Sequence, residues 1–343
     1  MRRASRFHRR PLPPLALAWA ACAVAPVAHA QAPQQSALQA HGDAAERILE
    51  ITWVLFIGGG LIFVAVMAIG LLALAGPPSL RSRFSRRGWI VGAGIVFPLV
   101  VLTALLVYTF GVAAGLVRAQ ASPPAARIQV TGELWWWRVR YLGADGATVL
   151  ETANEIRIPA GQPVDLELVS REVIHSFWVP NLAGKLDMLP GTTNRLRLQA
   201  HAPGVFRGQC AEYCGLQHAK MALHVVALPP AEYQAWLQER RQPAAEPTQP
   251  LARQGQALFF GAARCGVCHT VRGTPANGSL GPDLTHVGTR LSLAAGTLPN
   301  GPGPLAAWIA DPQHIKPGSR MPAYRQFSGE ELRALAAYLE GLR

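Results

Sequence analysis

The pattern of apolar and polar positions changes character three times along the chain. Residues 51–75 carry no charge over 25 positions, and a helix needs roughly 20 residues to cross a hydrocarbon core. Residues 88–117 form a second uncharged run, broken only by Pro98. A membrane helix accommodates such a proline where neighbours satisfy the freed backbone. Between the runs stand Arg81, Arg83, Arg86 and Arg87 with no acid, so the positive-inside bias puts this short loop in the cytoplasm and both flanks outside. From residue 126 to 230 the period becomes two. Val164, Leu166 and Leu168 alternate with Asp165 and Glu167, and Leu196 and Leu198 with Arg195 and Arg197. Turn signals at Gly143–Gly146, Pro159–Gly161, Pro190-Gly191 and Pro203-Gly204 divide short strands, which predicts a β-sandwich or barrel. After a proline-rich stretch at 241–250 the helical period returns. It gives a lead-in helix at 252–260 and a closing helix at 329–342 with Leu332, Leu335, Ala336 and Leu339 on one face.

Residues 1–30 add a secretory signal: five arginines, an apolar run from Leu15 to Val27, and a small-x-small site at Ala28-His29-Ala30. A lipoprotein reading would acylate Cys22, but Trp19 fits it poorly. The domain plan is therefore a signal at 1–30, a membrane hairpin at 31–120, a β domain at 121–240, a linker at 241–250 and a second soluble module at 251–343. The formal net charge is +12, of which Arg2, Arg3, Arg6, Arg9 and Arg10 supply five. No basic stripe with interleaved aromatics follows, which excludes a nucleic-acid binder.

Beyond Cys22 the four remaining cysteines form two pairs, Cys210/Cys214 and Cys265/Cys268, each with a histidine nearby. That spacing suits metal or cofactor attachment better than a disulfide framework. Cys210, Cys214, His218 and Met221 fall within twelve residues. Thiolate, imidazole and thioether are the ligands that hold copper through electron transfer. One blue-copper ion needs a single cysteine. Two thiolates four residues apart can instead bridge two ions, with His218 on one and Met221 on the other, and His175 is the best candidate for a second imidazole. A disulfide between Cys210 and Cys214 is the alternative in an oxidising compartment, though it needs neither His218 nor Met221.

The pattern Cys210-x-Glu212-x-Cys214-x-x-x-His218-x-x-Met221, with His175 upstream, resembles the dinuclear copper (CuA) site of cytochrome c oxidase subunit II. The resemblance covers roughly residues 45–232. It implies a cupredoxin-like Greek key behind a two-helix transmembrane hairpin. It also implies copper ligation by His175, Cys210, Cys214, His218 and Met221, and by the backbone carbonyl of Glu212. A magnesium ion would lie near the Glu212 carboxylate, shared with the large catalytic subunit. Trp135, first of three consecutive tryptophans, matches the residue where electrons enter above the copper, although Leu134 replaces the usual glutamine before it. Asp187 matches an acidic position near the same subunit contact. One departure stands out. The second membrane run begins Arg86-Arg87-Gly88-Trp89, without the glutamate that many members place at a proton-channel mouth.

Cys265-Gly-Val-Cys268-His269 is a c-type haem attachment pattern, with both thiols for the haem vinyls and His269 for the iron. Gly281-Pro-Asp-Leu284 follows, and Lys316-Pro-Gly-Ser-Arg-Met321-Pro322 carries the only methionine of the module. These resemble the proximal and distal loops of a small all-α class I cytochrome c, so Met321 becomes the sixth ligand, a pairing that leaves no open site for oxygen. A subunit II with a fused cytochrome c resembles the caa-type oxidases. The implied partners are catalytic subunit I, subunit III, a soluble or membrane-bound c-type cytochrome or other donor, and the membrane, with no nucleic acid. The implied location is a bacterial inner membrane with both soluble domains on the periplasmic side. His201, His224, His286 and His314 are left over and read as structural.

Overall fold

The structure is a computed structural model that describes residues 35–119 and 122–343. The signal segment and Cys22 lie outside the described residues.

Helix α1 (Asp43–Ala75) has 33 residues, about 50 Å at 1.5 Å per residue. It starts eight positions before the uncharged run. The first turn is tied to the β domain, with His201 Nε2 2.6 Å from Asp43 Oδ1 and Nδ1 3.3 Å from Glu46 Oε1. Helix α2 (Pro78–Phe84) holds the basic turn, where Arg81 Nε donates to the Gly76 carbonyl at 2.7 Å. Helix α3 (Arg87–Val91) continues through a wide π-turn (Gly92–Val96) into α4 (Phe97–Ala119). The wide turn precedes Pro98, whose missing N–H and bulky ring disrupt a regular α ladder. Both long segments expose large apolar side chains such as Phe56, Leu61, Phe63, Leu99 and Phe110. They are long and apolar enough to cross a membrane, and the chain is membrane-anchored.

The β domain runs β1 (Ala126–Glu133), β2 (Trp136–Leu142), β3 (Thr148–Ala153), β4 (Glu155–Pro159), β5 (Val164–Ser170), β6 (His175–Trp178), β7 (Leu186–Met188), β8 (Asn194–Leu198), β9 (Gly204–Cys210) and β10 (Ala222–Leu228). Two five-stranded sheets, ordered β3-β2-β1-β5-β8 and β4-β10-β9-β6-β7, face each other. Pairs β1/β5 and β4/β10 are parallel and the rest antiparallel. The alternation works as the pattern predicts: Ile128, Val130, Val164, Leu166 and Leu168 meet Ile156, Ile158, Phe177 and Val225 in one cluster. This is the cupredoxin-like sandwich. The tryptophan run is not one strand, however. Glu133 pairs with Trp136, so the chain reverses at Leu134-Trp135. Trp137 is then buried in the core, while Arg138 stacks over Trp136 at 4.7 Å.

Helix α5 (Pro230–Arg240) packs on the sandwich through Tyr233 and Trp236. The proline-rich stretch is not a free spacer: Ala244 N bonds Arg272 O at 2.9 Å, and Arg272 Nη2 bonds Arg240 O at 2.5 Å. The last module comprises α6 (Pro250–Phe260), a hairpin of β11 (Ser292–Leu293) and β12 (Leu298–Pro299), α7 (Pro302–Ala310), α8 (Pro312–Ile315) and α9 (Gly329–Gly341). Gly255 lets α6 cross α9 closely, since a Cβ there would lie 1.9 Å from the Ala334 carbonyl oxygen. Ser328 and Glu331 form a capping box that starts α9. The short hairpin is the one departure from an all-α module.

Candidate metal centre

Sheet register brings the donors together. Strand β9 ends at Cys210 and pairs with β6, where Phe177 faces Cys210. Ala211 N donates to Ser176 O at 3.0 Å, and Cys210 N donates to Met221 O at 2.9 Å. The loop between leaves and returns at fixed points, and a 3-10 turn (His218–Lys220) aims His218 back.

The resulting geometry is compact. Cys210 Sγ lies 3.7 Å from Cys214 Sγ, 3.7 Å from His175 Nδ1 and 3.2 Å from the Glu212 carbonyl oxygen. Cys214 Sγ lies 3.6 Å from His218 Nδ1 and 3.9 Å from Met221 Sδ. Both cysteines are free and buried. A disulfide would hold its sulfurs at about 2.05 Å, so that alternative does not describe this pair. The hydrogen bond from Cys214 holds the Cys210 thiol far down, to about 3, against the opposing effect of burial and with help from His175. The contact with Cys210, and burial, push the Cys214 thiol up. Thiols must lose their protons to ligate a metal, so metal binding here would release protons.

His175 is fully buried, and its Nε2 has no partner among the described residues. The ring packs against the cross-strand pair Gly132 and Trp137: a Cβ on Gly132 would lie 2.6 Å from His175 Cδ2, and the Trp137 ring centroid is 6.1 Å away. Trp135 Nε1 donates to the Cys214 carbonyl at 2.7 Å, so the first tryptophan is bonded to the loop itself. Two buried thiols, two imidazole nitrogens and a thioether are soft-to-borderline donors that, with the harder Glu212 carbonyl oxygen, could hold a pair of copper ions. Glu212 is different. Its carboxylate faces Lys185 Nζ at 3.5 Å, and Asp187 faces the same ammonium at 3.8 Å. Within this chain both acids face the Lys185 ammonium.

In the last module a 3-10 turn (Cys265–Val267) follows Arg264 in the left-handed region (φ 50°) and presents both free thiols. His269 Nδ1 lies 2.8 Å from the Pro282 carbonyl. A carbonyl only accepts, so Nδ1 carries the proton and Nε2 keeps its lone pair for iron. Burial holds the imidazole below its usual value, which favours that neutral form. Gly281 packs on the ring, where a Cβ would lie 2.5 Å from Cε1. Cys265 and Met321 pack on the same core as Phe259, Leu305 and Leu335. These residues fit a covalent haem.

The left-over histidines stay apart from both clusters. His224 faces Ser292 Oγ at 3.3 Å, and His286 Nε2 faces the Arg240 carbonyl at 3.1 Å. Sequence reasoning misses Gly132, Gln217, Lys220 and Lys316. Only the Lys-Pro-Gly turn signal at 316–318 marks any of them.

Fold and donor set together define a class: a membrane-anchored cupredoxin-like protein with a soft, thiol-paired metal site and an attached c-type cytochrome module. Residues 130–228 match the family described as cytochrome c oxidase subunit II, periplasmic domain, and residues 252–343 match cytochrome c. The chain is 44% identical over 216 residues to cytochrome c oxidase subunit 2 of Alkalihalophilus pseudofirmus, covering 63% of this chain and 61% of that one. It is 32% identical over 266 residues to cytochrome c oxidase subunit 2 of Bacillus sp. strain PS3, covering 72% of each. The Bacillus subtilis subunit 2 is 32% identical over 236 residues, with 66% and 65% covered. The chain therefore spans about two thirds of the length of these relatives (61% to 72%). It belongs to the cytochrome c oxidase subunit II family and carries a C-terminal cytochrome c domain.

Proposed function

We propose that the chain is the electron-accepting subunit of a respiratory haem-copper oxidase, relaying electrons from its own c-type haem to a dinuclear copper centre and on to a catalytic subunit that reduces oxygen to water. The observation that carries this reading is the pair of buried thiols 3.7 Å apart, each with an imidazole Nδ1 within 3.7 Å. His175, Cys210, Cys214, His218, Met221 and the Glu212 carbonyl would hold the coppers. Cys265 and Cys268 would hold the haem covalently, and His269 and Met321 its iron. When bound, the copper pair and the haem supply one-electron carriers.

The residues of the chain do the rest. Rigid sheet register fixes His175 and Cys210, so the donor set changes little with charge state. Burial of Cys210, Cys214 and Met221 keeps water out. Pro282 orients the His269 imidazole. Trp135, bonded to the Cys214 carbonyl, would be the residue through which an electron enters the copper loop. The expected partners are catalytic subunit I, with III, a c-type cytochrome or other donor, and a bacterial inner membrane with both soluble domains on the periplasmic side.

Surface charge favours the tethered haem as the main donor. Residues 118–250 carry 13 basic and 12 acidic side chains, and residues 251–343 carry 9 and 5. A copper domain that recruits a basic soluble cytochrome by steering needs an acidic excess, which this one lacks. The test is the chain matured with haem and extracted in detergent. Two coppers and one covalent haem per chain, with hyperfine structure shared between two copper nuclei, support the reading. Haem without that copper signal refutes it.

A further inference from the structure

The contact between the haem module and the copper loop is built around one buried side chain. Lys316 is 3% exposed, and its Nζ donates to the carbonyls of Trp135 at 2.9 Å, Lys220 at 2.9 Å and Ala294 at 3.3 Å. An ammonium has three N–H groups, and each has an acceptor here. Burying such a group is costly unless it is fully bonded. Two of the three acceptors belong to the copper domain, so the lysine is satisfied only while the modules are together.

The neighbouring contacts share this arrangement. Lys220 Nζ reaches back to Ile315 O at 2.5 Å, and Gln217 Nε2 donates to Pro317 O at 3.0 Å. Gly318, at φ +81°, turns the chain so that a Cβ there would lie 3.2 Å from Leu216 Cδ1 and 3.6 Å from Trp135 Cζ3. On its other side Trp135 is flanked by Gly215, where a Cβ would lie 3.1 Å from Cζ2. The indole is thus held between a copper-loop glycine and a glycine three residues before Met321. The hairpin tip completes the fit. Ala294 and Ala295 sit in the left-handed region at φ 52° and 55°, which L-residues other than Asn, Asp and Gly seldom adopt. That bend sends Ala294 O to Lys316, and Ala295 O accepts from Ala222 N at 2.9 Å, next to Met221.

We infer that Lys316 is a positioning residue that latches the haem module onto the copper loop and holds segment 316–321 against Trp135. The modules then form one docked unit rather than a tethered pair that must search for contact. This rests on the relay reading for its purpose, and on geometry alone for its existence.

The test uses the full chain with haem and copper, in detergent, comparing it with Lys316→Met. Hydrogen exchange reads the latch without reference to electron transfer. The amides of Ala222 and of Leu291, which donates to Glu155 Oε2 at 2.8 Å, are bonded across the interface. Their exchange should accelerate at least tenfold in Lys316→Met, while the Cys210 amide, bonded within the copper domain, stays protected. Flash reduction of the haem reads the positioning: electron equilibration with copper should slow at least tenfold and become viscosity-dependent, with haem and copper spectra unchanged. Either readout unmoved overturns the inference. If Lys316→Met fails to mature, Gln217→Ala, which removes the bonds to Lys316 O and Pro317 O, should move both readouts in the same direction, and no movement overturns it equally. Absence of haem-to-copper transfer in the unsubstituted chain would refute the relay reading instead, and exchange would still decide the latch.

Discussion

Gly132→Ala should damage the copper site more than its one added methyl suggests. The new Cβ would stand 2.6 Å from His175 Cδ2, 2.9 Å from Cγ and 3.3 Å from Cβ. His175 is fully buried and packed close to the Trp137 ring, so its ring has little space to retreat into. Overpacking of this kind costs about 1–3 kcal/mol. Any relief must swing Nδ1 away from Cys210 Sγ, now 3.7 Å away. Disturbing the support of a metal ligand typically lowers affinity by about 10–100-fold. The assay is copper titration of the detergent-extracted chain, followed by the dinuclear copper signal, with thermal unfolding alongside. Gly303→Ala is the control, since nothing lies within 4 Å of a Cβ there. Gly132→Ala with unweakened copper binding and unchanged unfolding would show that the close approach of Gly132 does not set the ring position.

Three further outcomes follow from the same structure. Gly281→Ala places a Cβ 2.5 Å from His269 Cε1 and 2.7 Å from Nδ1, so the haem should lose its low-spin spectrum or fail to be attached, as absorption and haem staining would report. Asn154→Ala removes the Oδ1 bond to Trp137 N at 2.9 Å and leaves alanine at φ 60°, which should cost about 2 kcal/mol in denaturant unfolding. Burial holds His224 and His286 below the usual imidazole value. Their unfolded forms titrate near about 6.5, so below that pH the unfolded chain binds more protons than the folded one. Stability should be full above that value and fall as pH drops toward the folded values, and His224→Gln should flatten the slope of melting temperature against pH.

The candidate copper cluster is legible in sequence because five of its six proposed donors come from one short stretch, Cys210 to Met221, with chemistry that few other patterns share. His175, which opens β6, is remote by 35 residues, and it is singled out because the cluster needs a second imidazole. The membrane runs and the strands of the sandwich are legible for the plainer reason that burial imposes a period. Other features leave no such trace. The reversal at Leu134-Trp135 has no Gly, Asn or Asp to announce it, so three tryptophans look like one strand. The proline-rich stretch looks like a spacer because its docking uses backbone groups, Ala244 N and the carbonyl of Arg241, which any residue supplies. The same holds at Lys316: its acceptors are carbonyls, and their convergence is a property of the fold.

The copper loop is used on both of its sides. Inward it presents Cys210, Cys214, His218 and Met221, and outward it presents Gln217 and Lys220 to the haem module. A loop engaged on two fronts has little freedom to change length. An insertion that spared every donor would still shift the outward side chains off their acceptors. Exchanging the cytochrome module between relatives is therefore not a matter of cutting at 241–250 and rejoining. The graft would have to carry positions 215–222 of its original host, so that module and loop are inherited as a single heritable piece.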